Sequence, residues 1–524
     1  MSQVGMETYK QETKNISRKI IWDHSIKSLT NNREHIRVLR GSYVKKLWKY
    51  CERILNSELN KNLLDNWLGY AESRYGKRKT SELKVAFFCG PEPENDVECL
   101  LNYGVRLENM YAFEYDNKIF KTAVNSLHEK YPQLKIVNGK IEIYAELHLE
   151  KFDIIYLDFT KSIVAERNTI YKLLDNNTLS DLGILIVNTC YDDSTDENID
   201  SLTNYFFYKC FFEGTFIDGF DWRVENCNSC DIDFSQLRDS VASNFEKAYS
   251  AFQTSIVLEY ANLIKPAYSL INNRILAKRV FNYQKFSDIL ANKKLISEIE
   301  LSSYESDEFL LSTSYADFNF EVKEKHYSRM DCMRLMEIFL NSQYYGNNRY
   351  RESFVDGEIV KTKLEDIDWN EFLSAPLMKA IPEINSEIKK RGRSLFCDIP
   401  MIHLWLEIIV NRLGYVYHSN IQNHHRFDYQ AKTRKMCTDI FTFDKCRAFY
   451  DWLPMIEFYG EDLKQIDRQM LSRICVDAIS KHSLHILEQQ YYGSALIGAN
   501  ERKWSCNFEL PGRYNLNEMF NKES

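Results

Sequence analysis

The chain has 524 residues, 44% of them hydrophobic and 27% charged, with a net charge of −8. Such a length exceeds one hydrophobic core, so two or three domains are expected. The acidic balance excludes a dedicated nucleic-acid coat, and no apolar run approaches the ~20 residues of a membrane helix.

The chain opens on a polar stretch with no signal-peptide core, and its 13 cysteines are odd in number and scattered. Cys89, Cys332 and Cys475 sit in apolar contexts, which suits reduced thiols better than a disulfide framework. The expected location is cytoplasmic. Residues 1–82 read as a helical N-terminal segment. Val38, Leu39, Tyr43, Leu47 and Tyr50 recur at helical spacing. The simplest role for this segment is a cap on the domain that follows; the sharper one is a lid over a ligand or a substrate-docking arm.

From Leu83 short apolar runs alternate with helical patterns. Strands are expected at 84–89, 110–114, 134–137, 153–157 and 183–187. Helices are expected after Asn95 or Asp96 as N-cap, ending at Gly104, and then over 117–130 and 163–174, with a short helix or turn over 141–149. Residues 203–262 can supply a final helix and one or two edge strands. This alternation predicts an α/β fold with a parallel sheet covered on both faces, spanning 83–266. Beyond Pro266 the pattern changes to a separate, mainly helical C-terminal domain, 267–524. It has helical patterns at 330–339, 401–410 and 463–492. The expected organisation is therefore 1–82, 83–266 and 267–524.

In a parallel sheet the ligand lies beyond the carboxyl ends of the strands. Gly90 stands at the first such end, Glu114 at the second and Asp158 at the fourth. A glycine turn admits a ligand close to backbone amides, and a carboxylate 24 positions later can accept from both hydroxyls of a ribose. Together these three points describe a nucleoside site.

Residues 83 to about 190 resemble the Rossmann-like domain of class I S-adenosylmethionine-dependent methyltransferases. Val85-Ala-Phe-Phe-Cys-Gly90 resembles their first motif, and Tyr111-Ala-Phe-Glu-Tyr-Asp116 the second. Val137-Asn-Gly-Lys140 resembles the third, and Asp153-Ile-Ile-Tyr-Leu-Asp-Phe159 the fourth. The resemblance implies S-adenosylmethionine as cofactor, held by Gly90, Glu92, Asn95, Glu114, Tyr115, Gly139, Lys140 and Phe159. It also implies that Asp158 lies near the methyl group or the substrate as the catalytic residue. The chain departs from the family's pattern in three places. Two prolines and three acids follow Gly90, Lys140 stands where many members carry an acid, and Asp158-Phe-Thr160 lacks the signature of DNA adenine methylation. Two functions follow: methyl transfer, with nucleic acid, protein or a small molecule as substrate, or a non-catalytic nucleotide-binding or interaction role on a degenerate fold, for instance in bacterial antiviral defence.

Three further groups stand out. Cys227 and Cys230 have half the spacing of a zinc site without a second half, so structural thiols are favoured. His418, His424, His425 and Asp428 cluster without a nuclease signature, which reads as a polar loop, and no metal is expected. Lys389, Lys390, Arg391 and Arg393, with Phe427 and Tyr429 in a second basic run, suit phosphate neutralisation and base stacking on a nucleic-acid partner.

Overall fold

The computed structural model describes residues 12–33, 76–90, 92–213, 234–261, 423–431, 434–444 and 512–518. It also describes 418–419, short strands within 319–363 and isolated positions between 45 and 72.

Helix α1 covers Glu12–Thr30. Then β1 (Val85–Phe88), α2 (Glu94–Tyr103), β2 (Met110–Glu114), α3 (Asn117–Leu127), β3 (Lys135–Asn138) and α4 (Ile141–Leu147) alternate. They are followed by β4 (Phe152–Asp158), α5 (Ile163–Asp175) and β5 (Leu179–Cys190). Every residue of β2 is buried, as are the first six of β4. Continuous apolar runs of this kind mark strands covered on both faces. Asp116 caps α3, accepting from the backbone N–H groups of Lys118 and Ile119 at 2.7 and 3.1 Å. Gly104 ends α2 at φ +91°, where an L side chain would be strained.

Beyond β5 come α6 (Asp196–Glu213), α7 (Phe234–Ser243) and α8 (Phe245–Glu259), so the described residues of this region are helical; 214–233 lie outside them. Two hairpins stand apart from the sheet, β6 (Asn319–Val322) with β7 (Lys325–Ser328) and β8 (Tyr350–Val355) with β9 (Glu358–Lys363). The sheet is completed by β10 (His418–Ser419), β11 (His425–Gln430), β12 (Lys435–Asp444) and β13 (Tyr514–Asn515).

The sheet order is β13-β11-β12-β5-β4-β1-β2-β3, with β10 paired to β12. Strands β1 to β5 run parallel. Strand β12 runs antiparallel to β5, with Met436 opposite Cys190 and Asp444 opposite Leu182. The boundary expected at 266 therefore does not divide the protein as foreseen: residues 425–444 and 514–515 belong to the same sheet as 85–190. A strand's partner is set by non-local pairing, which local periodicity does not encode. The helices expected at 330–339, 401–410 and 463–492, Cys227, Cys230 and the Lys389, Lys390, Arg391 and Arg393 run lie outside the described residues.

One face of the sheet, carrying Tyr111, Phe113, Ile155 and Leu185, packs against α5 to α8. On the other face Trp22 of α1 meets Phe87 and Tyr156 edge-on, at centroid distances of 6.3 and 5.5 Å. Among the described residues no helix is long and apolar enough to cross a membrane.

Candidate functional site at the carboxyl edge of the sheet

The strand order reverses between β1 and β4: the chain leaves β1 toward β2 and β3 on one side, and β4 and β5 lie on the other. The crevice of an open α/β sheet forms at such a point. Gly90 lies at its mouth with φ +60°, and nothing stands within 4 Å of where a Cβ would project. The backbone there takes a left-handed turn and leaves open space beside it. Cys89 is buried, and burial together with the Glu114 carboxylate pushes its thiol up to about 12, so it stays protonated and is no nucleophile.

Glu114 ends β2, buried at the strand's carboxyl end. Its Oε1 accepts the backbone N–H of Asp116 at 2.8 Å, and its carbonyl accepts the N–H of Gly139 at 2.8 Å. One carboxylate oxygen is thus fixed by the turn while the other makes no hydrogen bond among the described residues. Tyr115 follows it, 70% exposed. Phe159 is buried and meets Phe88 edge-on at 5.4 Å. Lys140 lies at the start of α4, its Nζ 3.8 Å from Glu142 and largely in solvent.

The loop after Gly90 is organised differently from the expectation. Helix α2 starts at Glu94, with Pro93 in the N-cap place and no capping side chain, so neither Asn95 nor Asp96 caps it. Asn95 is exposed and donates to Glu92 Oε2 at 3.2 Å. Asp96 is instead turned inward. Its Oδ1 accepts from Arg18 Nε and Trp22 Nε1, both at 2.9 Å. Pro91 lies outside the described residues.

Asp158 ends β4. Its neighbours on β5 and β12 are Asn188 and Thr438, directly in register. Asn188 Nδ2 donates to Asp158 Oδ1 at 2.6 Å and to the Tyr429 hydroxyl at 2.9 Å, while Thr438 Oγ1 donates to Asn188 Oδ1 at 2.7 Å. Asn188, Thr438 and Tyr429 are all buried. The second oxygen of Asp158 faces Lys14 Nζ of α1 at 3.1 Å. Lys14, Arg18 and Trp22 lie four residues apart, one face of a helix. This face joins α1 to two acids, the crevice Asp158 and the inward-turned Asp96. Sequence reading missed all three residues. The buried face of α1 also carries Ser17, Ser25 and Ser28, which mute its amphipathic signal.

Phe427 and Tyr429 are 0% and 1% exposed, inside β11, and cannot stack on a base. The histidine cluster is no polar loop either: His418 lies in β10, His425 and Asp428 in β11, and His424 is buried directly before β11. His424 Nε2 pairs with Asp439 Oδ1 at 2.9 Å, His425 Nε2 with the Tyr514 hydroxyl at 2.6 Å, and Asp428 Oδ1 accepts from Arg513 Nη1 at 3.2 Å. Among the described residues no group of His, Cys, Asp and Glu is arranged to hold a metal.

No protein-family profile matches the chain, and no curated protein does. Among solved structures it is similar to protein arginine methyltransferase 10 of Arabidopsis thaliana, 13% identical over 35% of this chain and 47% of that one, with a TM-score of 0.17. It is also similar to PKMT2 from Rickettsia typhi in complex with AdoHcy, 13% identical over 70% of this chain and 49% of that one, with a TM-score of 0.20. The chain spans about half the length of each. Its α/β fold, a mostly parallel sheet with flanking helices, is carried by the sheet order and not by these likenesses.

Proposed function

We propose that the protein transfers a methyl group from S-adenosylmethionine to an acceptor bound at the carboxyl edge of the sheet. The observation that carries this reading is the sheet itself. The dinucleotide-binding order 3-2-1-4-5-6 is parallel throughout. Here the order 3-2-1-4-5 is followed by an antiparallel hairpin whose second strand lies beside β5, the arrangement of the methyltransferase family that residues 83–190 resemble.

The residues at the crevice fit the cofactor. Gly90 leaves room for close approach to the backbone, and Glu114 offers a carboxylate oxygen at the place where a ribose is held. Bound there, S-adenosylmethionine supplies a methyl group on a sulfonium centre. Glu114 orients the nucleoside, Phe159 with Phe88 forms an apolar floor, and Asp158 holds a polar group of the acceptor. Asn188, locked by Thr438 and Tyr429, keeps the Asp158 carboxylate aimed.

Calorimetry with S-adenosylmethionine and its demethylated product tests the reading. Both should bind. Glu114→Ala should weaken binding by more than about tenfold, since the charge-assisted hydrogen bonds it removes are worth about 1.5–3 kcal/mol each. Glu114→Gln, which keeps the shape of the turn, separates a lost acceptor from a lost fold. Silence with both ligands in a folded protein would replace methyl transfer by a non-catalytic interaction role.

A further inference from the structure

The crevice carboxylate already has a partner of definite chemistry. Asp158 Oδ1 is engaged by Asn188, so Oδ2 is the oxygen left to face the crevice, and a primary ammonium, that of Lys14, stands on it at 3.1 Å. Asp158 in turn holds that ammonium above its usual range, with Asp96 adding to the effect and Arg18 opposing it. Both side chains remain partly open, at 31% for Lys14 and 22% for Asp158, so an incoming group can reach the pair.

We propose that the Asp158 slot is a binding site for a primary alkylammonium group, the head of a lysine-type side chain, and that Lys14 occupies it in cis as a stand-in for the methyl acceptor. The acceptor role rests on the methyl-transfer reading above. Three features select this chemistry. A neutral group displacing Lys14 would leave a half-buried carboxylate uncompensated, so the incoming group must carry positive charge. Arg18 cannot supply that charge, because Asp96 already holds it at 2.9 Å. A guanidinium binds best through two parallel bonds to both carboxylate oxygens, but Asn188 occupies one of them, which favours a compact ammonium.

To accept a methyl group, the bound ammonium first gives a proton to water; Asp158, which favours the charged form, holds the head group and is not the base. The nitrogen lone pair then forms the N–C bond as the C–S bond of the sulfonium breaks, its electron pair staying on sulfur. Lys14 in place keeps the slot closed to other amines, since a tethered group competes at an effective concentration on the order of millimolar.

The test is calorimetric titration of the full chain with n-butylammonium, n-butylguanidinium and n-butanol. Lys14→Ala should bind n-butylammonium about tenfold more tightly than the wild type, a difference of ~1.4 kcal/mol. It should bind n-butylguanidinium and n-butanol more weakly than n-butylammonium. Adding Asp158→Asn, which keeps the shape and removes the charge, should abolish the gain. Lys14→Met, which keeps the stem, should also open the slot, and circular dichroism checks that each variant is folded. Equal n-butylammonium affinity in wild type and both folded Lys14 variants, or equal binding of n-butanol, would overturn the inference. S-adenosylmethionine is titrated separately into the same proteins. Its failure to bind would remove the methyl-transfer reading and the acceptor role with it, whereas failure of n-butylammonium alone overturns only the slot.

Discussion

At the scale of single residues, His425 joins three segments far apart in sequence. Its ring lies 4.9 Å from that of His24 on α1, and its Nε2 shares a hydrogen bond with the Tyr514 hydroxyl on β13. His24 in turn reaches the carbonyl of Asn423 at 3.0 Å. Burial lowers His24, His424 and His425 below the usual imidazole range, His425 to about 4, and its two neighbouring histidines contribute to that shift. Because the folded value lies below the unfolded one, the unfolded chain binds more protons as pH falls. Stability is therefore full above roughly 6.5 and is lost progressively as pH falls toward about 4. Urea unfolding at pH 7.5 and at pH 5 should show a loss of about 1–2 kcal/mol from His425. His425→Gln, which retains a hydrogen-bonding group toward Tyr514, should remove that part of the slope. An unchanged slope would show that His425 does not contribute to it.

At the scale of elements, α1 serves both as cap and as part of the site. Trp22 is fully buried between Phe87 and Tyr156 and donates its indole N–H to Asp96, while Lys14, two turns earlier, reaches Asp158. The cap expected of residues 1–82 is seen on residues 12–30, which pack on the sheet through Trp22, while the periodic stretch 38–50 lies almost wholly outside the described residues. Removing the indole should cost about 3–5 kcal/mol, the range for large aromatic truncations in a packed core. The expected result for Trp22→Ala is a strongly lowered denaturation midpoint. Trp22→Phe keeps much of the packing and loses only the hydrogen bond to Asp96, a cost of about 1–3 kcal/mol. If both variants melt like the wild type, α1 does not contribute to the stability of this sheet.

At the scale of the whole molecule, the sheet is closed by chain that follows β5 by more than two hundred residues. Strand β12 covers β5 along nine residue pairs, from 436 opposite 190 to 444 opposite 182. Buried polar groups link the same elements. Gln253 donates to Asp439 Oδ2 at 2.9 Å, Thr254 donates to Asp439 Oδ1 at 2.8 Å, and Arg513 pairs with Asp439 at 2.7 Å and with Asp428 at 3.2 Å. The Arg513 guanidinium and the His424 ring hold the Asp439 carboxyl well below its usual range against the cost of burial. A chain cut after residue 266 would expose β5 as a long apolar edge and leave Gln253 and Thr254 without these partners. Such a fragment should aggregate or lack a cooperative thermal transition, as solubility and circular dichroism would show. A soluble, cooperatively melting fragment would mean that the first five strands form an independent unit.

The five parallel strands, the helices between them and the places of Gly90, Glu114 and Asp158 were determined by the sequence alone. Their information is local: continuous apolar runs, helical periodicity and a glycine or acid at the ends of the first four strands. Tertiary structure alone decided that β11 and β12 enter the sheet, which buries the rings of Phe427 and Tyr429 where no base can stack on them. It alone set Lys14 on Asp158 and Arg18 on Asp96. Tyr429 and Thr438 lie 241 and 250 positions from the Asn188 they lock, and Arg18 lies 78 from Asp96. The physical reason is that strand pairing and ion pairing across such separations are settled by burial and register in the packed molecule, and no periodicity along the chain records them.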